Sequence, residues 1–230
     1  MALDKMSGDV VWKSSVTGGD KAAYASTIRA EVAGVKQYIQ FLEKGVVGVD
    51  ADNGKVLWQY GKTAQGSPAN IPTPIAHNSY IYTASNRGGG SLIQISGDGD
   101  AMQAKEVYYS PKLPRAVGGA LLIDGYLYGT TGQVIQCVDF MTGEIKWSDR
   151  GVGAASFCYA DDRLYVHGEE GEVLLVAPSP DAYQEKGRFM APKSPGAGKS
   201  KAWAYPIVAN GRLYIRDFDI LSCYDVSGEK

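Results

Sequence analysis

The chain of 230 residues carries 23 Lys and Arg against 25 Asp and Glu, a formal charge of −2, with 29 Gly, 15 Tyr and 10 Pro. That balance gives no reason to expect a nucleic-acid partner, and the absence of any apolar run of about 18 residues excludes a membrane-spanning helix. Glycine and proline spread along the whole chain, with no helix-period stretch, predict many short strands joined by turns.

In chain order, residues 2–12 read ALDKMSGDVVW, with Asp, Gly and Trp at set offsets. The polar opening, Met1 to Lys5, does not read as a signal peptide. Three strands follow, an A strand at 26–32, a B strand carrying Tyr38 and a C strand VVGVD, and a second copy of the motif, GVDADNGKVLW, closes at Trp58. The next repeat has an A strand at 72–76, the turn His77-Asn78, the strands SYIY and LIQIS, and a degenerate outer strand ending at Tyr108 or Tyr109. Another places its A strand at 118–123, the turn Asp124-Gly125, the strand GYLY and the third good copy, CVDFMTGEIKW, at 137–147. Then come an A strand at 155–159, Asp161-Asp162, DRLY, VLLVA and a degenerate stretch reaching Phe189. The last repeat offers 205–208, Asn210-Gly211, GRLY and ILSCYD. Tyr38, Tyr82, Tyr128, Tyr165 and Tyr214 mark the B strands at a mean spacing of 44 residues, the length of a four-stranded propeller blade.

The reading is a single all-β domain over residues 1–230, a β-propeller of about five blades. In each repeat the Asp accepts backbone N–H groups in a turn, the Gly takes positive φ and the aromatic ring fills the gap between wedge-shaped blades. No Trp-bearing D strand follows Asp225, so the N-terminal strand is expected to join the C-terminal blade and seal the ring, which makes the protein a monomer. A cut through a larger propeller is the alternative.

The Asp–Gly–Trp segments resemble the tryptophan-docking motif of the PQQ-like β-propeller superfamily, which includes quinoprotein alcohol dehydrogenases and the propeller lipoprotein of the outer-membrane β-barrel assembly machinery. GVKQYIQF, NIPTPI, CYADDRLYVHGEEGEV and KAWAYPIVANGRLYIRD are similar to PQQ-binding-like repeat proteins of environmental bacteria. The resemblance implies a bacterial, periplasmic or exported protein and raises PQQ as a possible cofactor. In the family's dehydrogenases that quinone is held by adjacent cysteines, a stacking Trp and a calcium site. Cys137, Cys158 and Cys223 are far apart, so no catalytic or metal-binding residue carries over. His77 and His167 lie in different repeats without a nucleophile motif beside them. The glycine-rich Asn86–Leu92 stretch precedes a strand, whereas a phosphate loop needs a helix.

Function is therefore sought at the channel mouth, in the D-to-A loops and the starts of the A strands. Those loops hold Lys13, Lys21, Lys62, Lys112, Arg115, Arg150, Lys193, Lys199 and Lys201 against Asp20 and Asp149, a single-sign rim that favours anionic ligands. Glu169, Glu170 and Glu172 belong to a B–C hairpin expected on the opposite side. The candidate ligand contacts are Asn70, Thr73, Arg115, Ser156, Lys199, Lys201, Trp203 and Tyr205, an amide, hydroxyls, cations and aromatic faces suited to a polar or planar ligand. The expected function is a non-catalytic propeller that binds a small polar or anionic ligand or a protein partner; a PQQ-dependent oxidoreductase, or part of one, is the alternative.

Overall fold

The computed structural model describes residues 1–16, 20–64 and 69–228, and every regular element longer than three residues among them is a β-strand. The chain forms two compact units, Met1–Pro111 and Lys112–Lys230. The first contains β1 (Ala2–Leu3) with β2 (Val10–Trp12), then β3 (Ile28–Val32), β4 (Val35–Phe41), β5 (Val46–Asp50) and β6 (Val56–Tyr60), and then β7 (Ile75–His77), β8 (Tyr80–Ser85), β9 (Gly89–Ser96) and β10 (Gln103–Ser110). The second contains β11 (Ala120–Ile123), β12 (Tyr126–Thr130), β13 (Ile135–Asp139) and β14 (Ile145–Asp149); β15 (Ala155–Ala160), β16 (Arg163–Gly168), β17 (Glu172–Ala177) and β18 (Gln184–Met190); and β19 (Ile207–Ala209), β20 (Arg212–Asp217) and β21 (Ile220–Asp225). Four sets are four-stranded antiparallel meanders in chain order, the blade predicted from the 44-residue period, while β19–β21 is a three-stranded meander and β1–β2 a two-stranded pair.

Local chemistry explains the meanders. At four A–B hairpins the first turn residue, Asn78, Asp124, Asp161 or Asn210, sits at φ between 48° and 52°, a left-handed conformation that Asn and Asp tolerate and tight hairpins require. At the C–D turns three copies superpose in their bonding. Asp4 Oδ1 accepts from Met6 N and Ser7 N, Asp50 Oδ1 from Asp52 N and Asn53 N, and Asp139 Oδ1 from Met141 N and Thr142 N. Gly8, Gly54 and Gly143 follow at φ of 73° to 79°, each donating its N–H to the carbonyl of that Asp at 2.9 Å.

One device was not legible in the motif. Every C–D pair carries a bulge just before the docking position, so that Val11, Leu57, Val107, Lys146 and Lys186 are the extra residues. A bulge bends and twists its strand, which turns the following side chain out of the plain alternation. The register also settles the degenerate repeats: Tyr108 occupies the Trp position of β10, and Gly187 occupies it in β18. No atom lies within 4 Å of where a Gly187 Cβ would stand, so no ring docks there. Phe189, two residues on, instead meets Tyr224 at 4.7 Å between centroids.

The first unit's core gathers Ile39, Phe41, Val46, Trp58, Ile81, Ile93 and Ile95. The second's main cluster gathers Tyr128, Ile135, Phe157, Leu164, Val166, Leu174 and Val176. Ring closure through the N-terminal strand is not among the pairs shown: β2 pairs with β1, through Ala2 opposite Trp12, and β21 pairs with β20.

Candidate functional site

An even number of antiparallel strands brings the chain back to the end of the blade where it began, so B–C hairpins and D–A connections emerge together. In the second unit this sets the acidic hairpin after β16 against residues 191–206. Ala202 N donates to Glu169 O at 3.0 Å and Ala191 N to Gly171 O at 2.9 Å. Glu170 pairs with Lys201 and, at 3.4 Å, with Lys193. Trp203 Nε1 donates to Glu169 Oε1 at 2.8 Å. Counting charges in D–A loops alone sets these carboxylates on the opposite side from Lys199 and Lys201; the structure puts them on the same face, because the B–C hairpins share it. The cationic rim is partly neutralised here. Lys199 is exposed and has no carboxylate partner among the described residues.

Glu169 holds the Trp203 indole at its edge while 56% of the residue stays exposed. Beyond it, the β20–β21 hairpin tip presents Phe218, 47% exposed and at φ 53°. A bulky residue in the left-handed region is a backbone outlier that persists only where its surroundings impose it. Arg216 Nε donates to Phe218 O at 2.9 Å and so braces the tip. Two shallow basins flank these side chains, about 240 Å³ against Lys201, Trp203 and Ala204 and about 410 Å³ against Ser194, Gly196 and Asp219. Two buried side chains hold the backbone of this segment: Ser156 Oγ donates to Trp203 O at 3.3 Å, and His167 Nδ1 lies 3.2 Å from Ala204 O. Burial holds the His167 imidazole below its usual pKa, against the opposing pull of the Ala204 carbonyl and the Asp217 charge.

The other expected contacts fall elsewhere. In the first unit Asn70 is fully buried, its Nδ2 donating to Leu42 O at 2.8 Å and Glu43 O at 3.1 Å, while its Oδ1 has no partner. Thr73 Oγ1 accepts from Ser26 N at 3.3 Å. Both tie loops together. In the second unit Arg115 is partly buried, its N–H bonded to Thr130 O at 2.9 Å, whereas Tyr205 is 48% exposed beside Trp203. Sequence reasoning missed Phe218 and Arg216; the Asp-Phe-Asp tip between two apolar runs was the available signal.

A family model for PQQ-like repeats, described as outer membrane protein assembly factor BamB, matches residues 1–149. The chain belongs to this family. Solved propellers agree with the family's fold. BamB from Moraxella catarrhalis is 16% identical with a TM-score of 0.50, the match covering 96% of this chain and 76% of that one. The computationally designed Ika8 protein is 12% identical at 0.64, covering 96% and 63%. Quinohemoprotein alcohol dehydrogenase ADHIIG from Pseudomonas putida HK5 is 14% identical at 0.63, covering 94% of this chain but only 43% of its own. Identities this low speak for the fold alone. No curated protein matches the chain.

The quinone implied by some members of the PQQ-like family does not fit the donors of this chain. Cys137 is buried on β13 opposite Tyr128, Cys158 is partly buried on β15 and Cys223 is exposed on β21, so no adjacent thiol pair exists. No three His, Cys, Asp or Glu side chains gather in a metal-holding group among the described residues.

Proposed function

We propose that this chain is a non-catalytic, exported binding or scaffolding propeller, and that the shared B–C and D–A face of the second unit is its binding surface. The observation that carries the reading is Trp203, an indole fixed by Glu169 yet left largely open on a basin it shares with Phe218 and Arg216, with Lys199 and Tyr205 near it in the chain. Aromatic anchors held rigid next to cations are the residues that dominate interface energetics, and the partner they suit is an acidic, aromatic-bearing polypeptide. A small anionic ligand is the lesser fit, because the basins are shallow and Lys201 is already engaged by Glu170.

The test is fluorescence anisotropy of a fluorescein-labelled peptide alternating Asp and Phe. Binding is expected to weaken as salt rises, since exposed charges are screened over about 8 Å at physiological ionic strength. Trp203→Ala should weaken it at least about tenfold, as expected of an interface anchor, and Lys199→Glu should weaken it while Lys186→Glu on β18 does not. Absence of binding, or affinity indifferent to Trp203→Ala and Lys199→Glu, would contradict the proposal.

A further inference from the structure

We infer that the first unit carries a second, separate binding cavity, built for a planar phenolic ring. Between the β1–β2 pair and the face of the β3–β6 sheet lies a space of about 680 Å³, lined among the described residues by side chains from Met1 to Val49. That volume falls within the range of small-molecule sites, which are mostly apolar with a few placed polar groups. Trp12 and Tyr38 form one wall, their rings 6.2 Å apart and tilted by 48°. The Trp12 Nε1 proton is committed to Ala51 O at 3.1 Å, so the indole offers the cavity no donor. Val47 and Val49 contribute an apolar floor.

The polar groups decide the ligand class. Thr27 and Gln40 satisfy each other, Thr27 Oγ1 donating to Gln40 Oε1, and Gln40 Nε2 donates to Ala25 O and Phe41 O. They have little left to offer. Ser14 Oγ has no partner among the described residues but is shut off from the space, so it offers nothing to a ligand. The Asp20 carboxylate accepts from Lys21 N at 2.8 Å and Lys44 N at 3.0 Å, which leaves acceptor capacity on its two oxygens. The Asp20 carboxylate therefore stands as the charged acceptor of an apolar, aromatic-walled space, and the Ser15 and Tyr38 hydroxyls on its lining can accept as well. The complement is a flat ring that stacks on the wall and donates from a hydroxyl, as a phenol does; a sugar would set hydroxyls against the valine floor.

Isothermal titration with 2-naphthol tests this without reference to the peptide-binding face of the second unit. Saturable one-to-one binding is expected in the parent chain. Asp20→Asn should weaken it by roughly tenfold or more, the net worth of a hydrogen bond to a charged group. Val49→Phe, which fills the cavity, should abolish it while circular dichroism shows a folded chain. Titration with Trp203→Ala should match the parent. No saturable heat, or full affinity in a folded Val49→Phe chain, overturns the site; unchanged affinity in Asp20→Asn overturns the phenolic assignment.

Discussion

Trp58 is both filler and hydrogen-bond donor. The residue is 4% exposed, its Nε1 donates to Gln37 Oε1 at 2.7 Å, and Gln37 passes the bond on to Val32 O at 3.0 Å. A Cβ on Gly48, opposite it on β5, would stand 2.3 Å from the indole, so the glycine exists to seat the ring. Trp58→Ala should cost about 3–5 kcal/mol, the usual loss for a buried large aromatic, read as a lowered urea midpoint with unchanged slope. Trp147 is only half-buried, though its Nε1 donates to Ser179 O at 2.7 Å, and Trp147→Ala should cost less. His167 makes a second residue-scale claim. It is fully buried, its Nδ1–H facing Ala204 O leaves Nε2 bare, and its folded pKa lies below the unfolded value of 6.5. A depressed pKa means that the unfolded chain binds the extra proton first, so stability is full above about pH 6.5 and falls as pH drops below it. Melting at pH 7.5 and 5.5 should show a larger drop for the parent than for His167→Asn, whose amide keeps the bond to Ala204 without titrating; equal drops would contradict this.

At the scale of the element, the hairpin tip at Phe218 sets binding against stability. Relieving its left-handed backbone with Phe218→Gly offsets the glycine's own entropy cost, so stability should stay level or rise by up to about 1 kcal/mol. Affinity for the acidic-aromatic peptide should fall. A variant both less stable and equally tight would contradict the role given to the tip. The elements differ in how far they were legible. The turns at Asn78, Asp124, Asp161 and Asn210 and the Asp–Gly pairs of the C–D turns were readable because their chemistry is local: a left-handed φ or an Asx bond is decided within four residues. The bulges before Trp58, Trp147 and Tyr108 were not, because a bulge is defined only against the partner strand. The side-chain type of Asn70 suggests a ligand contact, whereas its amide clamps a loop 27 and 28 residues away in sequence.

For the whole molecule, a 44-residue period was enough to establish the blades, since a repeated spacing averages over local noise, while the Asp–Gly–Trp segments carried the resemblance to the family that matches residues 1–149. The distribution of charge was harder to read. A net −2 with nine cations in D–A loops suggested a basic mouth, yet Lys62 pairs with Glu106 at 2.7 Å in the first unit and Lys193 and Lys201 share Glu170 in the second. Such exposed pairs contribute little stability, but they cancel field, so the proposed attraction rests on Lys199 and Arg216 together with the aromatic side chains of Trp203 and Phe218. The claim that this face is where the protein meets its partner is tested most directly by hydrogen–deuterium exchange with and without the saturating acidic-aromatic peptide. Protection confined to residues 198–206 and to the tip at 217–220 is the predicted result. Protection absent there and present on the A–B hairpins at Asp124, Asp161 and Asn210, at the other end of the blades, would contradict it.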